Sequence, residues 1–364
     1  NYPGTYIAGL YNRLVSKVAD KNIENEDFVN IPNWLFINFR IDKGEWLDIN
    51  TIEILSIKRS LNFSNGLLKQ LQFSNHIMRR VTKICSSRDA NMANPHIVAL
   101  RYKVQPQNYS GSIEIKSEID GNIKNEGVIR YSTLNQQHLK PVAEGFDADF
   151  SWLLVQTTQS EIKIAQAARH FIYRNNKREN LEIRSKNSLG KISSGFEILL
   201  KEKEELAVEK VVAVYTSKKD DVPNPLERCK KAIKKAGTFD ALLHESKLAW
   251  EKIWNEIDIQ IEGDPKSQML VRLHLYHLMV AASPNNTSID AGIAARGLHG
   301  EAYGGHIFWD ELYIMPIYDL FFPEVAKSIL NYRYRRMNKA REYAKEHGYE
   351  GAMFPWQSGS DGRE

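Results

Sequence analysis

The feature that most constrains this chain is a change of residue rhythm at Asp221-Val222-Pro223-Asn224-Pro225. On its N-terminal side, short runs such as Trp34-Leu35-Phe36-Ile37-Asn38-Phe39-Arg40-Ile41 and His96-Ile97-Val98-Ala99-Leu100-Arg101-Tyr102 are rich in β-branched and aromatic residues. In Ser112-Ile113-Glu114-Ile115-Lys116 apolar and polar residues alternate, the period of a strand with one buried and one wet face. Asn65-Gly66, Asp120-Gly121-Asn122, Asn125-Glu126-Gly127 and Gly145 supply turns between the runs. Many strands joined by short polar turns predict a large antiparallel β-sandwich over residues 1–222.

Beyond the break the pattern is helical. Two prolines in three residues stop the strand Val211-Val212-Ala213-Val214-Tyr215, and Pro225 suits a first helical position. Helices from Leu226 to Ala236 and from Asp240 to Glu256 read as a helical linker over 223–262, with Leu242, Leu243, Leu248, Trp250 and Trp254 as its apolar side. At Asp264-Pro265 an N-cap and a first-turn proline open the next helix. Its Met269, Leu270, Leu273, Tyr276, His277 and Val280 recur at three-and-four spacing and predict one buried face. A glycine-rich loop follows from Ser283 to Ile307, then helices from Asp310 to Leu320 and from Pro323 to His347, closed by Gly348. Residues 263–364 thus supply too few helices to close a helical domain, and the polypeptide is expected to continue past Glu364. The opening Asn1 in place of Met is compatible with an upstream segment.

A length of 364 residues exceeds one ordinary domain of roughly 100–200 residues. The net charge of +4 is mild for that length and argues neither for a nucleic-acid partner nor for a membrane surface, and neither is expected. No stretch approaches the roughly 20 apolar residues of a membrane helix. Cys85 and Cys229 lack metal-ligand or disulfide-framework spacing and read as two free thiols, and no metal site is expected.

The residues with chemistry to offer cluster in Ala295-Arg296-Gly297-Leu298-His299-Gly300-Glu301-Ala302-Tyr303-Gly304-Gly305-His306-Ile307-Phe308-Trp309-Asp310-Glu311. Clustered glycines let a backbone take positive φ and approach a ligand. Aromatic rings beside carboxylates suit carbohydrate: an indole stacks on the C–H face of a sugar, and a carboxylate accepts from its hydroxyls. A second loop repeats that chemistry with Trp356, Gln357, Asp361, Arg363 and Glu364. Plainer readings compete. Trp309 at a helix start would ordinarily be core, and Asp310 could simply cap the next helix. His274 and His277 suit core histidines better than a metal pair. The sets Lys230-Lys231 with Lys234-Lys235, and Arg333, Arg335, Arg336, Lys339 and Arg341, read as solvated helix faces. No GxSxG, Walker A or paired GxGxxG motif occurs.

The string from Arg296 to Asp310 resembles the signature of glycoside hydrolase family 65, which contains maltose, kojibiose and trehalose phosphorylases and related α-glucoside hydrolases. Pro3-Gly4-Thr5-Tyr6-Ile7-Ala8-Gly9, Asn30-Ile31-Pro32-Asn33-Trp34, Asn108-Tyr109-Ser110-Gly111, Ile119-Asp120-Gly121 and Gly351-Ala352-Met353-Phe354-Pro355-Trp356 support the resemblance. It implies an N-terminal antiparallel β-sandwich, a helical linker and, over 263–364, the beginning of an (α/α)6 catalytic barrel. It also implies that Phe308, Trp309 and Asp310 line a glucosyl subsite, with Trp356, Gln357, Arg363 and Glu364 beside it. The family's general acid lies in a Gly-Pro-Asp-Glu-Tyr-type motif that is absent here, so no catalytic residue is assigned within the chain and the acid is expected beyond Glu364.

Both activities of the family invert configuration. A hydrolase needs a second carboxylate to activate water, the pair standing roughly 6.5–9.5 Å apart. A phosphorylase uses inorganic phosphate, the only cofactor-like molecule the resemblance admits. The text after Pro355, Trp356-Gln357-Ser358-Gly359-Ser360-Asp361, departs from the Trp-Glu of the phosphorylases. The expectation is therefore an inverting hydrolase of a small glucosyl disaccharide such as kojibiose, nigerose or trehalose. The alternatives are the corresponding phosphorylase, releasing glucose 1-phosphate, and a non-catalytic carbohydrate-binding protein. The disaccharide is the expected partner, with a homodimer admitted.

Overall fold

The computed structural model describes residues 2–76, 79–218 and 224–363. Asp221, Val222 and Pro223 of the predicted boundary, and Glu364, lie outside them. The chain begins with a hairpin of its own, β1 (Tyr11–Val18) and β2 (Lys21–Phe28). Thirteen further strands follow: β3 (Ile37–Ile41), β4 (Glu53–Asn62), β5 (Leu67–His76), β6 (Arg80–Ala90), β7 (Ile97–Pro106), β8 (Gly111–Asp120), β9 (Leu139–Phe146), β10 (Phe150–Thr157), β11 (Lys163–Arg174), β12 (Lys177–Glu179), β13 (Arg184–Ser188), β14 (Lys191–Leu200) and β15 (Leu206–Thr216). They make a nine-stranded sheet, ordered β4-β5-β6-β7-β15-β11-β10-β9 with β12 on β11, and a four-stranded sheet, β13-β14-β8-β3. Every pairing is antiparallel.

The alternation seen in the sequence sets the packing. Ile113, Ile115 and Ile119 of β8 and Ile192, Phe196 and Ile198 of β14 point from the smaller sheet into the space between the two. Val104, Ile164, Val208 and Val212 meet them from the larger sheet. β15 is buried on both faces from Leu206 to Val214, which fits the apolar run Val211-Val212-Ala213-Val214 and also encloses Glu209 and Lys210. Its outer face is covered by α1 (Pro225–Lys235), whose Cys229 and Ile233 rest on Ala165, Ala167, Val211 and Ala213. The alanines leave room for the helix to lie close, and the Cys229 thiol reaches the Ala213 carbonyl at 3.0 Å. Both cysteines are free.

The stretch expected to be a linker therefore closes the sandwich. α2 (Phe239–Ile257) joins two cores: Phe239 and Leu242 belong with the sandwich, whereas Trp250, Ile253 and Ile257 pack with the helices that follow.

Those helices are α3 (Pro265–Ala281), α4 (Glu311–Phe321), α5 (Pro323–Arg335) and α6 (Met337–Glu346). Asp264 caps α3 as expected, accepting from the Lys266 and Ser267 amides at 3.0 and 3.2 Å. The face that α3 buries is set by Leu275 and Met279, while Met269 and Leu270 remain exposed, a correction to the predicted stripe. The single helix predicted over 323–347 is two, parted at Arg336, where φ is −101° and ψ is 10°. No glycine or proline marks that break; the Arg336 guanidinium is held by groups outside the helix, as described below. Leu312, Tyr313, Leu320, Leu330 and Tyr334 stay exposed, so these helices form a sheet-rich domain's helical continuation and do not by themselves close a barrel. No helix among the described residues is long and apolar enough to cross a membrane.

Candidate functional site

The glycine-rich loop owes its shape to backbone that most residues avoid. Tyr303, Gly304 and Gly305 occupy the left-handed region in succession, with φ of 59°, 64° and 66°. A Cβ on Gly305 would overlap the Phe28 side chain, so glycine is required there for space as well as for conformation. The N-terminal hairpin and its flank hold this turn. The Tyr11 hydroxyl donates to the Gly305 carbonyl (2.7 Å), and His306 Nε2 meets the Glu26 carbonyl (2.8 Å). The buried Glu301 carboxylate accepts from Tyr2 Oη (2.7 Å), Tyr6 Oη (2.9 Å) and the Gly127 amide (2.8 Å). Burial raises the Glu301 pKa, and those three donors work against the rise.

Immediately after this turn, Ile307–Phe308 forms a two-residue strand, β16, paired with a second, β17, at Gln357–Ser358. The register sets Ile307 opposite Ser358 and Phe308 opposite Gln357. It thereby brings Trp309 and Trp356 together, ring centroids 5.3 Å apart and planes inclined by 39°. Trp309 is 44% and Trp356 59% exposed. Tyr313, one turn into α4, stands edge-on to Trp309 at 5.4 Å. The core reading of Trp309 is thus corrected: its indole is part-exposed within a cluster with Trp356 and Tyr313.

Asp310 is exposed beside this pair, at the N-terminal end of α4, and its side chain makes no capping hydrogen bond. The capping role is corrected as well, because Asp310 has helical φ and ψ (−53°, −26°) whereas a capping side chain needs an extended backbone. The carboxylate remains available to a ligand. Phe308 is buried beneath, edge-on to Tyr303 at 5.4 Å, and Gln357 is half-buried in the paired strand. Arg363 lies elsewhere: it binds Asp361 (2.8 Å) and reaches Glu24 of β2 (3.4 Å). Glu364 falls outside the described residues.

Two residues of the set read as a solvated basic face support this site from behind. Arg333 pairs with Glu311 at 3.0 Å. Arg336 binds both oxygens of Asp290 (2.9 and 3.0 Å), the Ser360 carbonyl and the Tyr332 carbonyl (2.8 Å). Burial opposes the charge on Asp290, yet Arg336 holds its carboxyl below the usual range. Glu311 moves the other way, raised by burial that the Arg333 charge only partly offsets. The signal for Arg336 was present in the sequence: Val325, Ile329, Tyr332, Arg336 and Ala340 fall on one helical stripe, and all five are buried. Arg335 and Lys339, by contrast, are exposed as read.

His277 and His299 stand 4.7 Å apart, ring to ring, both lowered in pKa by burial and then by neighbouring positive groups. Among the described residues no group of three His, Cys, Asp or Glu side chains is placed to hold a metal ion.

Comparison with known proteins gives two family matches: "Glycosyl hydrolase family 65, N-terminal domain" over residues 1–253, and "Glycosyl hydrolase family 65 central catalytic domain" over residues 272–364. An uncharacterized glycosyl hydrolase of Mycobacterium tuberculosis is 38% identical over 364 residues, all of this chain and 27% of that protein. The kojibiose phosphorylase of Halothermothrix orenii is 33% identical, covering 99% of this chain and 45% of the enzyme. A solved structure from the human microbiome, described as a candidate kojibiose phosphorylase, superposes with a TM-score of 0.83 at 23% identity, over 99% of this chain and 46% of that one. The chain spans less than half the length of each of these relatives.

Proposed function

The chain belongs to glycosyl hydrolase family 65, and from that premise we propose that Trp309, Trp356 and Asp310 form one wall of a glucosyl-binding subsite in an enzyme acting on an α-glucosidic disaccharide. One observation carries this reading: two exposed indoles are brought together by β16 and β17 beside a carboxylate that the helix behind it does not use. Indole faces suit the apolar C–H face of glucose, and a carboxylate at a helix N-terminus can accept two sugar hydroxyls in charge-assisted hydrogen bonds. Phe308 and Gln357 back the wall as the paired strand residues.

Phosphate is the acceptor the reading favours, because the kojibiose phosphorylase of H. orenii shares a third of its residues over almost the whole chain. A phosphate oxygen would attack the anomeric carbon from the face opposite the bond that breaks. The leaving sugar oxygen would take a proton from a general acid, and inversion would give β-glucose 1-phosphate. The second reading is hydrolysis, in which water is the nucleophile and a second carboxylate takes its proton. Gln357 favours it, standing where the resemblance places Glu in phosphorylases.

Incubating the full-length protein with kojibiose, nigerose and trehalose, each with and without phosphate, separates the readings. Glucose 1-phosphate formed only in the presence of phosphate is expected. Free glucose released equally with and without phosphate overturns phosphorolysis in favour of hydrolysis. No cleavage of any α-glucoside, together with retained sugar binding, would leave a carbohydrate-binding protein.

A further inference from the structure

Phe308 and Trp309 sit on one loop with Glu311 opening α4 behind them, Phe354, Trp356 and Ser358 sit on the other, and the Arg333 side chain of α5 lies between them. Arg333 donates through Nε to Glu311 Oε2 (3.1 Å), through Nη2 to the Phe308 carbonyl (3.4 Å) and through Nη1 to Ser358 Oγ (3.4 Å). Its guanidinium carbon stands 5.8 Å from the centre of the Phe354 ring. Glu311 is fixed in turn by the Ile293 amide at 2.8 Å. Both side chains are largely enclosed, with 19% of Arg333 and 8% of Glu311 exposed. Ser358 has a second partner in the Tyr332 hydroxyl at 2.9 Å.

β16 and β17 are two residues each, and so short a ladder does not fix the separation of two loops unaided. Arg333 touches the residue before Trp309, the second residue after it, and residues two positions to either side of Trp356. We propose that Arg333, oriented by Glu311, is a positioning residue that fixes the distance and tilt of the Trp309–Trp356 pair and so the width of the glucosyl subsite. The proposal rests on reading that pair as a sugar wall. It needs a guanidinium: the planar fork spans a carboxylate, a carbonyl and a hydroxyl at once, whereas a lysine ammonium is a compact charge that can satisfy Glu311 without reaching both strands.

The test uses the full-length protein and two readouts. The first is the circular dichroism band produced by coupling of the two indoles, isolated by subtracting the spectrum of Trp356→Ala. The second is kcat/KM for the disaccharide that the activity assay identifies. Arg333→Lys is expected to fold, to lose the coupled band, and to lower kcat/KM by about tenfold or more, chiefly through KM, because misplacing a binding wall by an ångström carries a cost of that order. Glu311→Gln, which keeps its shape and an acceptor for the Ile293 amide, is expected to shift both readouts in the same direction by less. If Arg333→Lys keeps the wild-type band and wild-type kcat/KM, the proposal is overturned. Should Arg333→Lys not fold, an unchanged band and kcat/KM in Glu311→Gln overturn it equally. The band lost in Arg333→Lys while Trp356→Ala retains wild-type kinetics would overturn the sugar-wall reading itself, and Arg333's part in a subsite with it.

Discussion

The inter-sheet core and the paired tryptophan loops use the same residue types in opposite ways. Between the sheets, Ile113, Ile115, Phe196 and Val208 are almost wholly removed from water, and the backbone around them is ordinary antiparallel strand. At the loops, Trp309 and Trp356 stay in water, the backbone turns left-handed at three successive residues, and shape is maintained by Glu301, Arg333 and Arg336 through bonds to remote segments. Burying a large apolar side chain stabilises by about 1.5–3 kcal/mol, and the sandwich collects that gain along every strand. The loops forgo it and depend on directed contacts. The difference teaches where tolerance should lie: the sandwich should accept changes of volume with graded loss, and the loops should respond sharply to single atoms.

The largest expected kinetic effect is at Gly305. Gly305→Ala adds a Cβ against Phe28 at a φ of 66°. Strain at such a position and overpacking each cost on the order of 1–3 kcal/mol. The turn should shift, taking Phe308 and Trp309 with it, and kcat/KM of the full-length protein should fall by at least ~100-fold. Ile115→Val is the control from the other region, expected to cost about 0.5–1.5 kcal/mol in urea unfolding with unchanged kinetics. Equal kinetic losses in the two variants would erase the distinction.

Next comes Asp310→Asn. Asn caps helices about as well as Asp, so a cap would be indifferent to the change. A ligand to two hydroxyls would not be, since the amide offers one acceptor and turns an NH₂ toward the other hydroxyl. Hydrogen bonds to charged groups are worth on the order of 1.5–3 kcal/mol, so kcat/KM should fall roughly ten- to a hundred-fold with Tm nearly unchanged. Wild-type kinetics would remove Asp310 from the subsite.

A pH experiment probes the sandwich side alone. His170 on β11 is half-buried, hydrogen-bonded to Ser117 of β8 (2.9 Å) and near Lys210 of β15, itself beside Glu118. Burial, then the Lys210 charge, push His170 down to about 3. An unfolded histidine titrates near 6.5, so below that pH the unfolded chain takes a proton that the folded chain refuses. His170 therefore destabilises the fold progressively as pH falls from about 6.5 toward 3, by up to about 1.4 kcal/mol per pH unit. Asp89, raised by burial to about 6, acts with the opposite sign over part of that window. The quantity to measure is therefore the unfolding free energy of wild type minus that of His170→Gln. That difference should decline on acidification, and a flat difference would mean that His170 is protonated in the fold.

These regions were also unequally legible in the sequence. Alternation in β8, the turn glycines and the Asp264 cap are local, and each was readable from a few neighbouring residues. The pairing of Phe308 with Gln357 was not. Two-residue strands have no period to detect, and their partners are joined only by the folding of α4, α5 and α6 between them. The loops could be named from their composition, but only the family resemblance set them side by side. The packing of α1 was hidden for a related reason: α1 shows its apolar face plainly, whereas the sheet face that receives it lies inside the apolar run Val211-Val212-Ala213-Val214 of β15.

The smallest expected effect is at Arg335, on the basic face of α5, and it is measured against the neighbouring Arg336. Arg335 and Arg336 look alike in a charge run, and both reach Asp290. Their surroundings differ. The Arg335 side chain is 53% exposed and its partner Asp290 keeps the bidentate Arg336 without it. Exposed pairs contribute about 0.2–1 kcal/mol, and Arg335→Ala should fall at the low end of that range, with unchanged kinetics. Arg336→Ala instead leaves Asp290 without its forked partner and frees the Ser360 carbonyl on the loop that carries Trp356. Losing one member of a buried pair costs about 3–5 kcal/mol, a ceiling here because Asp290 is itself about a third exposed. The measurement is a pair of urea titrations on the full-length protein. Equal small losses would return Arg336 to the solvated face where its charge first placed it, and would make the stripe from Val325 to Ala340 an accident of spacing.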